Sequence, residues 1–108
     1  MRGLYLVTPN WDDTDRMIAG TRAALEAGVA LVQYRNKDAA PALRLEQAAA
    51  LQALCRRYGR PFVINDYLDL CLTLDADGVH LGGTDAKVAH ARSVLGAGKI
   101  VGASCYGE

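Results

Sequence analysis

Three short stretches of this 108-residue chain collect side chains that handle charge. Gln33-Tyr34-Arg35-Asn36-Lys37 supplies two cations and two amides, Asn65-Asp66 an amide and a carboxylate, and Gly82-Gly83-Thr84-Asp85 a second carboxylate behind two glycines. Arginine offers a planar fork to phosphate oxygens and lysine a mobile point charge. Paired carboxylates suit Mg²⁺, which takes one or two of them and fills its other positions with phosphate and water. The combination is that of a phosphorylated ligand held by cations and a hard metal ion. No serine, cysteine and histidine set suggests nucleophilic catalysis: Cys105 follows Ser104 without an identifiable histidine partner.

These residues matter together only if the fold gathers them. Short apolar runs at Gly3–Thr8, Leu31–Arg35, Pro61–Asn65, Asp77–Leu81 and Lys99–Ser104 read as strands buried on both faces of a parallel sheet. Between them lie helices. Asp13–Ala27 opens on an acidic cap region and stops at Gly28; Pro41–Tyr58 has Pro in its first turn, Arg56 and Arg57 in its last, and Gly59 and Pro61 as stops. Tyr67–Leu74 is short, and Asp85–Leu95 ends at Gly96-Ala97-Gly98. Leu45, Ala48, Leu51 and Cys55 give the second helix a sheet-facing stripe. The alternation β-α-β-α-β-α-β-α-β predicts an α/β chain with a parallel sheet and helical crossovers, in which the charged stretches leave the carboxyl ends of separate strands. In a βα barrel those ends converge on one mouth.

A closed eight-strand barrel needs about 200 residues or more. On the barrel reading, four βα units and a fifth strand are the N-terminal half of a (β/α)8 TIM barrel, a partial domain over residues 1–108 that does not close by itself. The competing architecture is a small doubly wound sheet. Thr8-Pro9-Asn10-Trp11 after the first strand lacks the glycine-rich turn that would cradle phosphate there. Half of the residues are hydrophobic (51%) and 22% are charged, a globular balance. Basic and acidic residues cancel at 12 each, so no global field favours nucleic acid or an anionic membrane, and any anion site is local. Residues 1–9 do not form a signal peptide, and no apolar run approaches the ~20 residues that span a bilayer. Cys55, Cys71 and Cys105 are odd in number, without metal-ligand spacing, and read as reduced packing thiols of a cytoplasmic protein.

Each candidate has a structural rival. Gln33, Arg35 and Lys37 share strand parity and climb one side by roughly 6.5–7 Å per pair. Lys37 alone also reads as a solvated loop residue, whereas Gln33 and Arg35 inside an apolar run need partners. Asn65-Asp66 and Asp85 also read as helix caps. His80, between Val79 and Leu81, reads as a packed, hydrogen-bonded residue, and His90 as surface. Ser104, Thr8 and Tyr5 fit a cavity lining or a structural place equally well. Trp11, Asp12 and Asp13 read as loop and cap.

Taken in order, Leu4-Tyr5-Leu6-Val7-Thr8, Val32-Gln33-Tyr34-Arg35-Asn36-Lys37, Val63-Ile64-Asn65-Asp66, Ala76-Asp77-Gly78-Val79-His80-Leu81-Gly82 with Asp85, and Ile100-Val101-Gly102-Ala103-Ser104 resemble the N-terminal half of thiamine-phosphate synthase. The resemblance implies a Mg²⁺-dependent transferase of thiamine biosynthesis. It would couple 4-amino-2-methyl-5-hydroxymethylpyrimidine diphosphate with 4-methyl-5-(2-phosphooxyethyl)thiazole, giving thiamine phosphate and diphosphate. By position, Arg35, Lys37 and Asn65 would hold the diphosphate, and Asp66 and Asp85 the Mg²⁺. Gln33 would orient the aminopyrimidine, and Ser104 would contact the diphosphate or the pyrimidine. Such a reaction needs a neutralised leaving group and a held nucleophile rather than strong acid or base.

With diphosphate at about −3 and Mg²⁺ at +2, those four charged residues leave about one negative charge uncompensated. The resemblance places the missing lysine, and the thiazole-phosphate loops, in a later part of the barrel. The expectation is that this polypeptide alone is inactive and exposes strand edges through which it self-associates. Rival readings are a related thiazole tautomerase-type barrel and a non-catalytic half-barrel folding fragment.

Overall fold

A computed structural model of the chain describes residues 3–104. Residues up to Phe62 form one compact unit and those from Val63 a second. The first unit contains β1 (Tyr5–Val7), α1 (Thr14–Glu26), β2 (Leu31–Tyr34) and α2 (Pro41–Tyr58). The second carries β3 (Phe62–Asn65, entered from the last residue of the first unit), α3 (Leu68–Leu74), β4 (Gly78–Gly82), α4 (Asp85–Leu95) and β5 (Ile100–Ser104). All nine expected elements are present, each within two residues of its expected bounds.

In the first unit β1 and β2 are parallel, with Tyr5 opposite Leu31 and Val7 opposite Gln33. The Val32 amide donates to the Pro61 carbonyl at 3.2 Å, so the chain leaving α2 returns to the other side of β2. Asp13 caps α1 by accepting from the Arg16 amide at 3.1 Å, a contact worth about 1 kcal/mol. Met17, Thr21 and Leu25, one helical turn apart, form its buried stripe. Pro41 starts α2 and Gly59, at φ 65°, ends it in the left-handed region that glycine adopts without strain. The two helices pack side by side and run in the same direction: Thr14 hydrogen-bonds Glu46 near their starts, and Tyr58 hydrogen-bonds Glu26 near their ends.

The stripe expected on α2 is partly corrected. Ala48, Leu51 and Cys55 are fully buried, but Leu45 is 43% exposed. The buried face instead takes in Gln47, Gln52 and Leu54. Counting apolar positions misplaces this face because two of its members are amides.

In the second unit β4 lies between β3 and β5, all parallel, with Ile64, Val79 and Val101 in one row and Asn65, His80 and Gly102 in the next. Gly78 is required by close approach: a side chain there would bring its Cβ to 2.6 Å from the Ile100 Cβ. Cys71 is buried and donates its thiol to the Gly78 carbonyl at 3.3 Å. Burial pushes its pKa up, as for an inert packing thiol. Cys55 is likewise a buried thiol, and Cys105 lies outside the described residues. An ion pair, Lys99 to Asp75 at 2.7 Å, raises the lysine pKa. Its contribution is present below the ordinary lysine range and fades as pH rises through the raised value. With Asp75 79% exposed it is a minor term.

The corrected face of α2 is testable. Leu51→Ala should lower stability by about 2–5 kcal/mol, and Leu45→Ala should change it by less than about 0.5 kcal/mol, as read from urea unfolding midpoints. Equal losses would return Leu45 to the core.

Candidate functional site

The chemistry-bearing residues lie at strand ends in both units. In the first, alternation along β2 and its loop separates two sets. Val32, Tyr34 and Asn36 are at most 1% exposed, whereas Gln33 and Arg35 are half-buried and Lys37 is exposed. The shared parity expected for Gln33, Arg35 and Lys37 is therefore present, on the side away from the buried set.

The main chain bearing those cations is held at successive residues. Thr8, 2% exposed, accepts from the Arg35 amide at 2.9 Å and donates to its carbonyl at 3.2 Å. The Thr8 amide also donates to the Gln33 carbonyl at 3.0 Å. Of the two roles open to Thr8, the structural one is realised; Tyr5 is half-exposed on β1. Asn36 donates through its amide to the Trp11 carbonyl and to Gln47 Oε1, both at 3.0 Å, and accepts from the Asp38 amide at 3.3 Å. The Lys37 amide donates to Asn10 Oδ1 at 3.3 Å.

Gln47, wholly buried on α2, is the hub of this network. Its Oε1 also accepts from the Tyr34 hydroxyl at 2.8 Å, and its Nε2 donates to the Trp11 carbonyl at 2.8 Å and to Thr14 Oγ1 at 3.3 Å. All four of its bonding positions are filled. Each buried group left unpaired by its removal would cost about 1–3 kcal/mol. Trp11 is more than a loop residue: besides its doubly used carbonyl, its ring carries the Arg16 guanidinium 3.9 Å from the ring centre. The sequence reading missed Gln47. It also assigned no place to Asn36, although the parity shared with Val32 and Tyr34 was a usable signal.

In the second unit, Asp66 follows β3 at φ 71°. The Tyr67 amide reaches back to the Asn65 carbonyl at 2.8 Å, closing a three-residue turn around it, while the Asp66 amide donates to the His80 carbonyl at 2.8 Å. Such a turn with positive φ is rare and strained. Neither carboxylate caps a helix: Tyr67 occupies the start of α3 without a side-chain cap, and Thr84, not Asp85, accepts from the Lys87 amide to cap α4. Asp85 occupies the first turn of α4, where the helix dipole favours negative charge. Both carboxylates are exposed, and among the described residues neither makes a hydrogen bond or ion pair; the same holds for the side chains of Gln33, Arg35, Lys37 and Asn65.

His80 is half-buried beside Asn65, as expected of a packed residue, and its ring occupies the space over Gly102: a Cβ there would lie 2.8 Å from Nδ1. His90 is exposed. Ser104 ends β5 opposite Gly82, and its side chain is outside the described set. Among the described residues no three His, Cys, Asp or Glu side chains gather as a ready-made metal site. Two exposed, unpaired carboxylates nevertheless fit Mg²⁺, which draws its remaining ligands from phosphate and water.

Comparison with known proteins bears on these strand ends. The family profile described as thiamine monophosphate synthase matches residues 4–108. The chain belongs to this family. It is 58% identical over 108 residues to the thiamine-phosphate synthase of Janthinobacterium sp. (strain Marseille), covering 100% of this chain and 52% of that protein. With the thiamine-phosphate synthase of Xylella fastidiosa (strain 9a5c) it is 54% identical over 107 residues, covering 99% and 45%. A solved structure of thiamine phosphate pyrophosphorylase from Pyrococcus furiosus is similar to 96% of this chain and 50% of its own, with TM-score 0.82 and 34% identity. The chain thus spans about half the length of the thiamine-phosphate synthases it matches, and its α/β fold is that of half of a parallel (β/α)8 barrel.

The backbone at Asp66 yields a prediction. Asp66→Val should destabilise the protein by roughly 1–3 kcal/mol because a branched residue resists positive φ, while Asp66→Gly should leave the unfolding midpoint unchanged or higher. A loss with glycine as large as with valine would show that the side chain, not the backbone, governs stability there.

Proposed function

We propose that the whole protein is a thiamine-phosphate synthase, a cytoplasmic transferase, and that residues 1–108 are one part of its single barrel domain. Its substrates would be 4-amino-2-methyl-5-hydroxymethylpyrimidine diphosphate and 4-methyl-5-(2-phosphooxyethyl)thiazole. In the reaction the carbon–oxygen bond to diphosphate breaks, the leaving group keeps the electron pair, and the thiazole nitrogen forms the new carbon–nitrogen bond. The observation that carries the reading is the set of Arg35, Lys37, Asp66 and Asp85 side chains, which pair with none of the described residues, near strand ends of a chain in this family.

In this reading Arg35 and Lys37 bind the diphosphate oxygens, and Asn65 donates an amide hydrogen to them. Their positive charge stabilises the leaving group most as its bond breaks, which is where charge stabilisation accelerates a reaction. Gln33, on the same side of β2 as Arg35, orients the aminopyrimidine, and Ser104 adds a contact at the end of β5. Asp66 and Asp85 would hold Mg²⁺. When bound, the ion supplies Lewis-acid neutralisation of the diphosphate. The strained turn keeps the Asp66 carboxylate presented before ligand arrives, so ordering it costs little at binding.

Full-length protein should form thiamine phosphate from the two substrates, lose activity on chelation and regain it with Mg²⁺. Asp66→Ala and Asp85→Ala should each lower Mg²⁺-dependent turnover on the order of 10²-fold or more, with folding preserved by circular dichroism. Wild-type turnover in both variants would remove the metal assignment. A wild-type protein that leaves the pyrimidine diphosphate untouched but isomerises thiazole phosphates would move it to the tautomerase-type relatives.

A further inference from the structure

We infer that Gln47 is a positioning residue: from α2 it fixes the backbone of the β2 loop so that Arg35 and Lys37 present their charges to the diphosphate, an inference that rests on the function proposed above. Gln47 stands on a helix, ten residues beyond Lys37 in sequence, yet its Oε1 joins Tyr34 to Asn36 across Arg35. Its Nε2 ties the same pair to the Trp11 carbonyl, to which Asn36 also donates. Two loops, those following β1 and β2, thus share one buried amide as their common anchor.

The anchor acts on main chain rather than on the charges themselves. Asn36 is clamped on the buried side, and the residues flanking it in sequence, Arg35 and Lys37, face the other way. The Arg35, Lys37 and Asp38 amides each donate to a side chain, Thr8, Asn10 and Asn36 respectively. Main-chain amides that donate to side-chain acceptors depend on those acceptors staying in place, and Asn36 is itself held by Gln47 and the Trp11 carbonyl. An apolar core residue at position 47 would fill the same space but would leave the Tyr34 hydroxyl without this acceptor and the Trp11 carbonyl with one donor fewer. Buried networks of this kind specify one geometry when every member is satisfied.

The test uses the full-length protein with Gln47→Met, close to glutamine in shape, and Tyr34→Phe, which removes one bond of the network and leaves the fold. Two readouts are taken: amide hydrogen exchange, and steady-state kinetics with inorganic diphosphate as product inhibitor. Gln47→Met should speed exchange at Arg35, Lys37 and Asp38 while the α1 amides keep their protection. It should raise KM for the pyrimidine diphosphate about tenfold, weaken diphosphate inhibition in parallel, and leave KM for the thiazole phosphate within about twofold. Tyr34→Phe should move the same quantities in the same direction, by less. Unchanged KM and inhibition in both variants would overturn the inference, as would exchange that rises equally through α1 and α2 in both. Wild-type protein that neither turns over the pyrimidine diphosphate nor binds diphosphate would instead overturn the function on which the inference rests.

Discussion

Charge without a protein partner is costly to keep ordered, and this chain keeps it at the ends of its strands. Parallel pairing makes that arrangement possible. Each strand delivers its last residues beyond the hydrogen-bonded ladder, where side chains are no longer committed to neighbours. Arg35 and Lys37 emerge this way beyond β2, and Asn65 and Asp66 at the end of β3, while Asp85 lies three residues beyond β4. Among the described residues none is spent on an ion pair, whereas the ordinary surface pair Lys99–Asp75 is found on the connecting loops instead.

The two units support their charges by different means. In the first, a fully satisfied buried network built on Gln47 and a threonine clamp hold the backbone, leaving long side chains free to adapt. In the second, a short carboxylate is held by the backbone itself, through the tight turn at Asp66 and the His80 carbonyl. The contrast suits the chemistry. Lysine and arginine reach and adjust, so their base must be firm. An aspartate that is to hold a metal, as proposed for Asp66, has little reach, so its main chain must already be placed.

Much of this was readable from residue types alone because the signals are local. Pro41 and Gly59 bracket α2, Asp13 marks the start of α1, and alternation along β2 separates Arg35 from Tyr34. The failures share one cause. Leu45 looked like core and is exposed, while Gln47, outside the apolar stripe, is wholly buried, because the face of α2 is decided by hydrogen bonds to Tyr34, Asn36 and Trp11. The turn at Asp66 was read as a possible cap. Its actual conformation depends on a hydrogen bond from the Asp66 amide to the carbonyl of a residue fourteen positions later, which no local pattern encodes. Family motifs supplied the roles of the site residues, whose joint action on one ligand is the proposal that remains to be tested.

The most direct test is nuclear magnetic resonance of the full-length protein with Mn²⁺ in place of Mg²⁺, with and without diphosphate. The account predicts that Mn²⁺ together with diphosphate broadens the amide signals of Asp66 and Asp85 and, in the same titration, those of Arg35 and Lys37. Broadening confined to Asp66 and Asp85, with Arg35 and Lys37 unaffected at saturating diphosphate, would contradict it.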